Sequence, residues 1–523
     1  MRERSVRRAR QAASSERVSA GERRFRVVTY GCQMNRHDTE KLANLLYHAG
    51  QQPATDLDDA DLLVINTCSI RDKAEHQLYS DLGKLRSWKE HRPARVLAVG
   101  GCVAQQVGDA LLRRFSHVDF VFGTHNLRLV PAMVEAALGG ERASRVAESS
   151  SLERFDLPAR HPSYRSESPG RAFVTVMEGC DMFCSFCIVP RTRGREISRP
   201  AAEIIAEVRG LTEMGVREIT LLGQTVNAYG RQDARRGRAS AAGKLPFAEL
   251  LRQLDRVPGV ERIRYTSPHP LFFDEALVRA HGEVESLCPH VHLPLQSGSN
   301  EVLERMRRRY SREQYLAICE QLRASRSDIA ITTDLIVAFP GETRADFEDT
   351  LGLMREVEFS DSYSFKYSPR PGTSAADLPG PIAPEEAQRR LLALQELQGE
   401  KTLAYQRSRV GSRTRILLEG PSRRGSVQVC GRDPYHRVVN VGTEDPPASP
   451  GDMLEVVVVD ATPHSLIGQR LGAAATTAAS GGTAGNFSRP AVKRKRQTAE
   501  EWERSGAPSG LGSTPGTDPL RVV

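Results

Sequence analysis

A chain of 523 residues with 39% hydrophobic side chains is too long for one ordinary domain and carries enough core-forming residues for two to four. No apolar run approaches the ~18 to 20 residues of a membrane span and the N-terminus has no apolar signal segment, so a membrane or exported protein is excluded and a cytoplasmic one is expected. Nine cysteines suit a reducing compartment, where thiols stay free to bind metal, and the net charge of +8 sits mainly in the ends, so it argues little for a nucleic-acid surface on the body.

Residues 1–23 are Arg/Ser/Ala-rich without a hydrophobic period and read as a disordered basic arm; Glu3, Glu16 and Glu22 argue against a transit peptide. Residues 24–139 alternate strands with helices. Phe25 to Tyr30 reads as a strand, and Leu42, Leu45, Leu46 and Ala49 then recur at helical spacing, with Asp38 as N-cap and Gly50 as the stop. A strand over Leu62 to Asn66 and a helix from Ile70 to Arg86 follow, then a strand over Val96 to Gly100 and a helix from Ala104 to Phe115. Such alternation predicts a parallel sheet. Each strand runs into a cysteine: Tyr30-Gly-Cys32, Asn66-Thr-Cys68 and Gly100-Gly-Cys102. The carboxyl ends of parallel strands share one edge, where ligands bind, so the three thiols are expected to converge, with Gly31 and Gly101 leaving room for a bulky inorganic group.

Residues 140–165 break the period and read as a linker, and alternation resumes over 166–398. Strands are expected at Phe173–Met177, Glu218–Leu222, Arg262–Thr266, His290–Leu293, Ile329–Ile336 and Ser362–Lys366, with helices between. The first strand ends in Glu178-Gly-Cys180-Asp-Met-Phe-Cys184-Ser-Phe-Cys187. Three thiolates at C-x3-C-x2-C spacing suit one face of an iron-sulfur cube and leave one iron without a protein ligand. Structural zinc would want a fourth ligand, and the chain holds no second C-x2-C pair. The strand ends Gly223-Gln224-Thr-Val-Asn227, Thr266-Ser267-Pro-His269, Leu295-Gln296-Ser-Gly298 and Ala338-Phe-Pro-Gly341-Glu342 have the composition of site loops. His269, His290 and His292 read as hydrogen-bonded barrel residues, and Cys288, Cys319 and Cys430 as structural thiols. Arg191, Arg193, Arg195 and Arg199 form one basic cluster beside the cysteine loop, and Arg305 to Arg309 form another that also fits a solvated helix face.

Residues 400–472 carry short alternating strands over Thr414–Glu419, Ser426–Cys430, Arg437–Val441 and Met453–Val459, which predict a small antiparallel β-barrel. Arg423, Arg424, Arg432 and Arg437 would give that barrel a phosphate-binding face. Residues 473–523, with the run Lys493-Arg-Lys-Arg496, read as a disordered tail.

The cysteine loop resembles that of the radical S-adenosylmethionine superfamily. By that resemblance Cys180, Cys184 and Cys187 hold a 4Fe-4S cluster whose open iron chelates S-adenosylmethionine, Phe186 lies near the adenine, and one-electron reduction of the sulfonium releases methionine and a 5′-deoxyadenosyl radical. The order of parts over residues 24–472 closely resembles the methylthiotransferases. These are α/β proteins with an N-terminal three-cysteine parallel domain, a partial (β/α)6 radical barrel and a small C-terminal OB-like, RNA-binding barrel, the TRAM domain. Gly223-Gln-Thr-Val-Asn-Ala-Tyr229 and Ser368-Pro-Arg-Pro-Gly-Thr373 look like the branch that acts on adenosine 37 of tRNA already bearing an N6-isopentenyl group. Thr225 and Arg191 depart from the Asn and the aromatic residue common there.

The resemblance implies replacement of the hydrogen at C2 of the base by a methylthio group. It implies two 4Fe-4S clusters, the second held by Cys32, Cys68 and Cys102, with Phe186, Gly223 and Gln224 as contacts to S-adenosylmethionine. The implied partners are the tRNA anticodon loop, an electron donor such as flavodoxin or ferredoxin, and a sulfur donor, and the protein is expected to be monomeric. A sister enzyme acting on threonylcarbamoyladenosine or on a ribosomal-protein aspartate, and a non-catalytic RNA-binding protein with structural metal, are the competing readings.

Overall fold

The computed structural model describes residues 23–69, 72–149, 151–161, 168–231, 245–422, 428–442 and 448–471. The expected arm up to residue 22, Arg423, Arg424 and the tail with its Lys493–Arg496 run lie outside these residues.

Strands β1 (Arg24–Thr29), β2 (Gln52–Pro53), β3 (Leu62–Thr67), β4 (Val96–Gly101), β5 (Phe120–Phe122) and β6 (Ala143–Arg145) form one parallel sheet in the order β2-β1-β3-β4-β5-β6. β3 and β4 are buried at every position, as central strands covered on both faces must be. The connecting helices are α1 (Gln33–His48), α2 (Asp72–His91), α3 (Cys102–Val107), α4 (Asp109–Arg114) and α5 (Val130–Leu138).

Three expectations need correction. Asp38 is not an N-cap: α1 begins at Gln33 directly after Cys32, because Gly31 at φ +132° turns the strand end straight into the helix, and Asp38 lies buried in its second turn. The helix expected over Ala104–Phe115 is two helices, broken where Gly108 takes φ +53°. The linker expected at 140–165 contains β6, the edge strand of the sheet, and a single turn of helix over Leu152–Phe155; both are too short to carry a period.

The next six parallel strands follow one another in sequence around an arc: β7 (Arg171–Thr175), β10 (Glu218–Leu222), β11 (Arg262–Tyr265), β12 (His290–His292), β13 (Ala330–Val337) and β14 (Asp361–Lys366). The ladder is interrupted once, between β11 and β12, where a single parallel bridge joins Ile263 to Leu287. The short pair β8 (Met177–Glu178) and β9 (Ile197–Ser198) brackets the cysteine loop. Helices α6 (Val189–Thr192), α7 (Ala201–Glu213), α8 (Phe247–Asp255), α9 (Glu275–Glu283), α10 (Asn300–Arg305), α11 (Arg312–Ser325), α12 (Arg344–Val357) and α13 (Pro384–Ser408) alternate with these strands. The two-residue period of the strands assigns their faces. Ala172, Val174, Ile219, Leu221, Ile263, Val291, Ile331 and Leu335 pack outward into the helices, whereas Arg171, Phe173, Glu218, Arg262, Arg264, His292, Asp334 and Tyr363 line the inner face.

Strands β15 (Arg413–Pro421), β16 (Gln428–Arg432), β17 (Val438–Gly442), β18 (Met453–Ala461) and β19 (Leu466–Arg470) close a barrel in the order β15-β16-β17-β19-β18. It is not wholly antiparallel, since β17 and β19 pair in parallel; β19, with Gly468 and Gln469 inside it, escaped the alternation rule. Helix α13 reaches Ser408, past the boundary expected near residue 400. The barrel docks on the amino-terminal end of the arc. Arg264 donates to the carbonyls of Asp433 at 2.7 Å and Pro434 at 3.0 Å, His436 stacks on His290 at 5.3 Å, and Arg171 pairs with Glu419 at 2.9 Å.

Candidate active site

The ends of β1, β3 and β4 are tied together by side chains. Asn35 donates to the Thr67 carbonyl at 2.6 Å, Asn66 donates to the Asn35 carbonyl at 2.8 Å, and the Thr67 hydroxyl donates to the Gly100 carbonyl at 2.6 Å. These bonds gather the turns that carry Cys32, Cys68 and Cys102, the last two buried. A Cβ on Gly31 would stand 2.9 Å from Cys68 Sγ, and one on Gly101 would stand 2.4 Å from the Thr67 carbonyl, so only glycine lets the turns approach this closely. The Cys32 thiol is brought down to about 6, first by its hydrogen bond with Cys68 and then by the nearby Arg193 charge, while burial pushes Cys102 up.

The second trio follows β7 and β8 at the carboxyl end of the arc. Gly179 at φ +81° starts the loop, and its N–H donates to Gln224 Oε1 at 2.5 Å. Cys180 Sγ lies 3.2 Å from Thr225 Oγ1, and Arg308 Nη1 lies 3.4 Å from Cys184 Sγ. Ser185 fixes the middle of the loop, its hydroxyl donating to the Arg305 carbonyl at 2.8 Å and its own carbonyl accepting from Ala375 N–H at 2.9 Å. Phe186 packs beside Cys180 and Cys184 on one side and Val302, Met306 and Phe339 on the other. Burial pushes the Cys180 thiol up to about 11 and the Cys187 thiol up to about 12. Such thiols ionise in exchange for a cation that takes the protons' place.

The two trios meet across the mouth of the arc. Arg193, on the segment leaving the cysteine loop, pairs with Asp38 of α1 at 2.6 Å, both side chains buried, and its charge acts on both Cys32 and Cys102. Alongside, Thr124 donates to the Thr192 carbonyl at 2.6 Å, Lys41 lies 3.3 Å from Glu178, and Arg154 donates to the Glu178 carbonyl at 3.1 Å. Burial opposes the Glu178 charge, but Lys41 and Arg154 hold its carboxyl down at about 2.

Among the described residues no three His, Cys, Asp or Glu side chains close on a single metal ion. A cubane cluster asks for something different, one thiolate per iron with space between them, and three convergent thiols with a buried cation beside them fit that requirement at each place.

The other expected residues divide. His290 and His292 each lie 3.0 Å from the Thr332 hydroxyl, and His292 pairs with Asp334 at 3.2 Å. His269 Nδ1 accepts from Leu271 N–H, while burial holds the ring well below its usual pKa. Of the Arg305–Arg309 run, Arg305 and Arg308 turn inward and Arg307 and Arg309 outward. The Arg191 guanidinium packs over Gly372 in the Pro-Gly-Thr turn. Gly223 lies against Met177, where a Cβ would meet Cγ at 2.6 Å. Arg432 and Arg437 do not form an open phosphate-binding face, because Arg432 pairs with Glu419 at 3.0 Å and Arg437 is buried against Asp361 at 3.0 Å.

Sequence reasoning assigned no role to Asn35, Asn66 and Thr67 and read Arg308 only as part of the basic Arg305–Arg309 run, because the roles of all four lie in contacts between distant segments. It also passed over three non-glycine residues with left-handed backbone at consecutive strand ends: Ser267 at φ +58°, Gln296 at +77° and Ala338 at +60°. Their place in the expected site loops was the available signal. The inner face also exposes Tyr363 and Phe365, two positions apart on β14, at 52% and 44%.

Two family models match the chain, the Radical SAM superfamily over residues 174–354 and the Uncharacterized protein family UPF0004 over residues 24–123. A tRNA-2-methylthio-N(6)-dimethylallyladenosine synthase of Geobacter metallireducens is 46% identical over 449 residues, covering 86% of this chain and 98% of the relative. One of Mycobacterium marinum is 45% identical over 459 residues, covering 87% and 85%. Among solved structures, the radical S-adenosylmethionine methyltransferase TsrM of Kitasatospora setae superposes with a TM-score of 0.50 at 15% identity over 68% of this chain and 75% of that one, a likeness of fold alone. With two domain models in the observed order and full-length relatives at this identity, the chain belongs to the tRNA-2-methylthio-N(6)-dimethylallyladenosine synthase family of radical S-adenosylmethionine enzymes.

Proposed function

We infer that this protein is a tRNA methylthiotransferase that replaces the hydrogen at C2 of N6-isopentenyladenosine-37 with a methylthio group, giving 2-methylthio-N6-isopentenyladenosine. The observation that carries the reading is the meeting of two three-cysteine turns at one mouth, joined through Arg193 and Asp38. Cys180, Cys184 and Cys187 would hold one 4Fe-4S cluster and Cys32, Cys68 and Cys102 the other. When bound, these clusters and S-adenosylmethionine supply one-electron cleavage of the sulfonium, the transferred sulfur and the methyl group.

The chain's own residues position and shield that chemistry. Gln224 fixes the start of the cysteine loop through Gly179 N–H, and its Nε2, buried without a partner among the described residues, is free to bind the cofactor. Phe186 offers an apolar wall to the adenine, and Gly223 lets the β10 turn settle on Met177. Arg308 and Thr225 donate toward Cys184 and Cys180, fixing the orientation of both sulfurs. On the inner wall, Tyr363 and Phe365 provide exposed aromatic faces for the substrate base.

The partners are the tRNA anticodon loop, an electron donor such as flavodoxin or ferredoxin, and a sulfur donor, with the enzyme acting as a cytoplasmic monomer. Among the described residues no helix is long and apolar enough to cross a membrane. The C-terminal barrel acts as the TRAM-type RNA-binding module, using exposed Arg413 together with exposed Arg407 at the end of α13, instead of the docked Arg432 and Arg437. Mass spectrometry of position-37 nucleosides after incubation of the reconstituted protein with isopentenylated tRNA tests the reading. The 2-methylthio nucleoside is expected, and product formed only on threonylcarbamoyl-tRNA would overturn it.

A further inference from the structure

We propose that Arg193 is a positioning residue for anionic sulfur at the N-terminal centre, a hydrogen-bond donor that the barrel supplies to a site on the other domain. Arg193 belongs to the chain segment leaving the barrel's own cysteine loop, yet its side chain is 3% exposed and its charge interacts with Asp38, Cys102, Glu178 and Cys32. Nη2 is taken by Asp38 at 2.6 Å. Nη1 is buried without a nitrogen or oxygen acceptor among the described residues, and the Arg193 side chain lies within hydrogen-bonding reach of the Cys102 thiol. A buried guanidinium N–H whose one acceptor is a weak thiol gains from a stronger, anionic one, so the position suits sulfur in its ionised form.

The surroundings say which kind. Three thiols converge beside Arg193; Asp38 pairs with it directly, and Glu178, held mainly by Lys41 and Arg154, also acts on it, so ionised sulfur leaves an excess of negative charge beside the guanidinium. Thiolate and inorganic sulfide are large, polarisable anions, and a planar fork of donors can reach Asp38 and a sulfur atom from separate nitrogens, whereas a lysine ammonium must crowd both acceptors onto one. Hydrogen bonds and positive charge near an iron-sulfur cluster stabilise its reduced form and raise its potential. Arg193 thus ties the electronic state of the N-terminal centre to correct closure of the barrel loop.

This inference rests on reading the N-terminal trio as a cluster site, and the experiment separates the two. In full-length protein carrying Cys180→Ala, Cys184→Ala and Cys187→Ala, only the N-terminal centre can load after anaerobic reconstitution. Iron and sulfide are counted, then the midpoint potential and the electron paramagnetic resonance spectrum of the reduced cluster are measured, with native Arg193, with Arg193→Lys, with Arg193→Gln and with Asp38→Asn. No iron in the parent would sink the cluster reading itself.

With roughly four iron atoms bound, Arg193→Gln should shift the potential to more negative values and change the spectrum, Arg193→Lys should fall between, and Asp38→Asn should shift it the opposite way because the guanidinium charge is no longer offset. A residue that merely docks two domains would make the Arg193 and Asp38 changes act alike. Shifts of the same sign, or none in Arg193→Gln with full iron, would overturn the proposal. If Arg193→Gln loads no iron, Asp38→Asn decides by its sign.

Discussion

Arg437 Nη2, on the C-terminal barrel, donates to Asp361 Oδ2 at the start of β14 at 3.0 Å, with the guanidinium nearly buried and the carboxylate about one-third exposed. The pair belongs to the belt that seats the barrel on the arc, together with Arg264 and the 433–434 carbonyls. Replacing Arg437 with Ala should therefore cost about 1 to 3 kcal/mol of stability through the unpaired group left behind. The salt dependence of tRNA binding should not change, since no phosphate contact is lost. Thermal denaturation and binding isotherms at several salt concentrations check both; a flattened salt slope would return Arg437 to the RNA face.

Each thiol trio should load independently. Protein with Cys32, Cys68 and Cys102 changed to Ala should keep roughly four of about eight iron atoms, still cleave S-adenosylmethionine under reducing conditions and form no methylthio nucleoside. Wild-type product from this variant would contradict a role for the N-terminal centre, and failure of a folded variant to cleave the cofactor would contradict independence.

Tyr363 and Phe365 are exposed on the inner wall, so truncating either to Ala should leave thermal stability nearly unchanged. Loss of one stacking surface is worth about 1 to 3 kcal/mol per base. Single-turnover assays should show product formation falling about 5- to 150-fold at subsaturating tRNA, while cofactor cleavage without tRNA persists. Equal loss of both reactions would place these rings elsewhere.

His281 titrates against the fold. Burial lowers its pKa from 6.5 to about 3, and its Nε2 lies 2.7 Å from the Tyr265 hydroxyl. The unfolded chain binds the proton near pH 6.5 and the native chain only near 3, so this stabilising term is fully present above pH 6.5 and is lost as pH falls from 6.5 through 3. A His281→Gln protein, unable to titrate there, should show a shallower decline in denaturation midpoint over that window. Parallel curves would mean the ring is protonated in the native state.

The architecture was largely legible because its signals are local. Strand runs ending in Cys32, Cys68 and Cys102 announced both the parallel sheet and its edge, and the β10 bounds were read directly from Glu218–Leu222. What escaped depends on partners far away in the chain. Asp38 has the composition of a cap, and only the arrival of Arg193 explains its burial in a helix interior. Arg432 and Arg437 look like RNA ligands until Glu419 and Asp361 are seen opposite them. Ala143–Arg145 has no pattern of its own and becomes a strand because β5 presents an open edge.

Ser267, Gln296 and Ala338 each hold a backbone conformation that side chains resist, at about 1 to 3 kcal/mol apiece. Their neighbours enforce it: Ala338 N–H is captured by Glu342, itself paired with Arg390, and Gln296 is bridged to Leu335. Together these three turns hold an energy comparable with the ~5 to 15 kcal/mol that separates a folded domain from its unfolded chain. The rim of the arc is thus under tension, and warming should loosen it before the helices behind it. Ala338→Gly would relax one of these turns and raise the temperature at which that loosening begins. The edge that carries the expected site loops is thus also a place where the backbone stores strain.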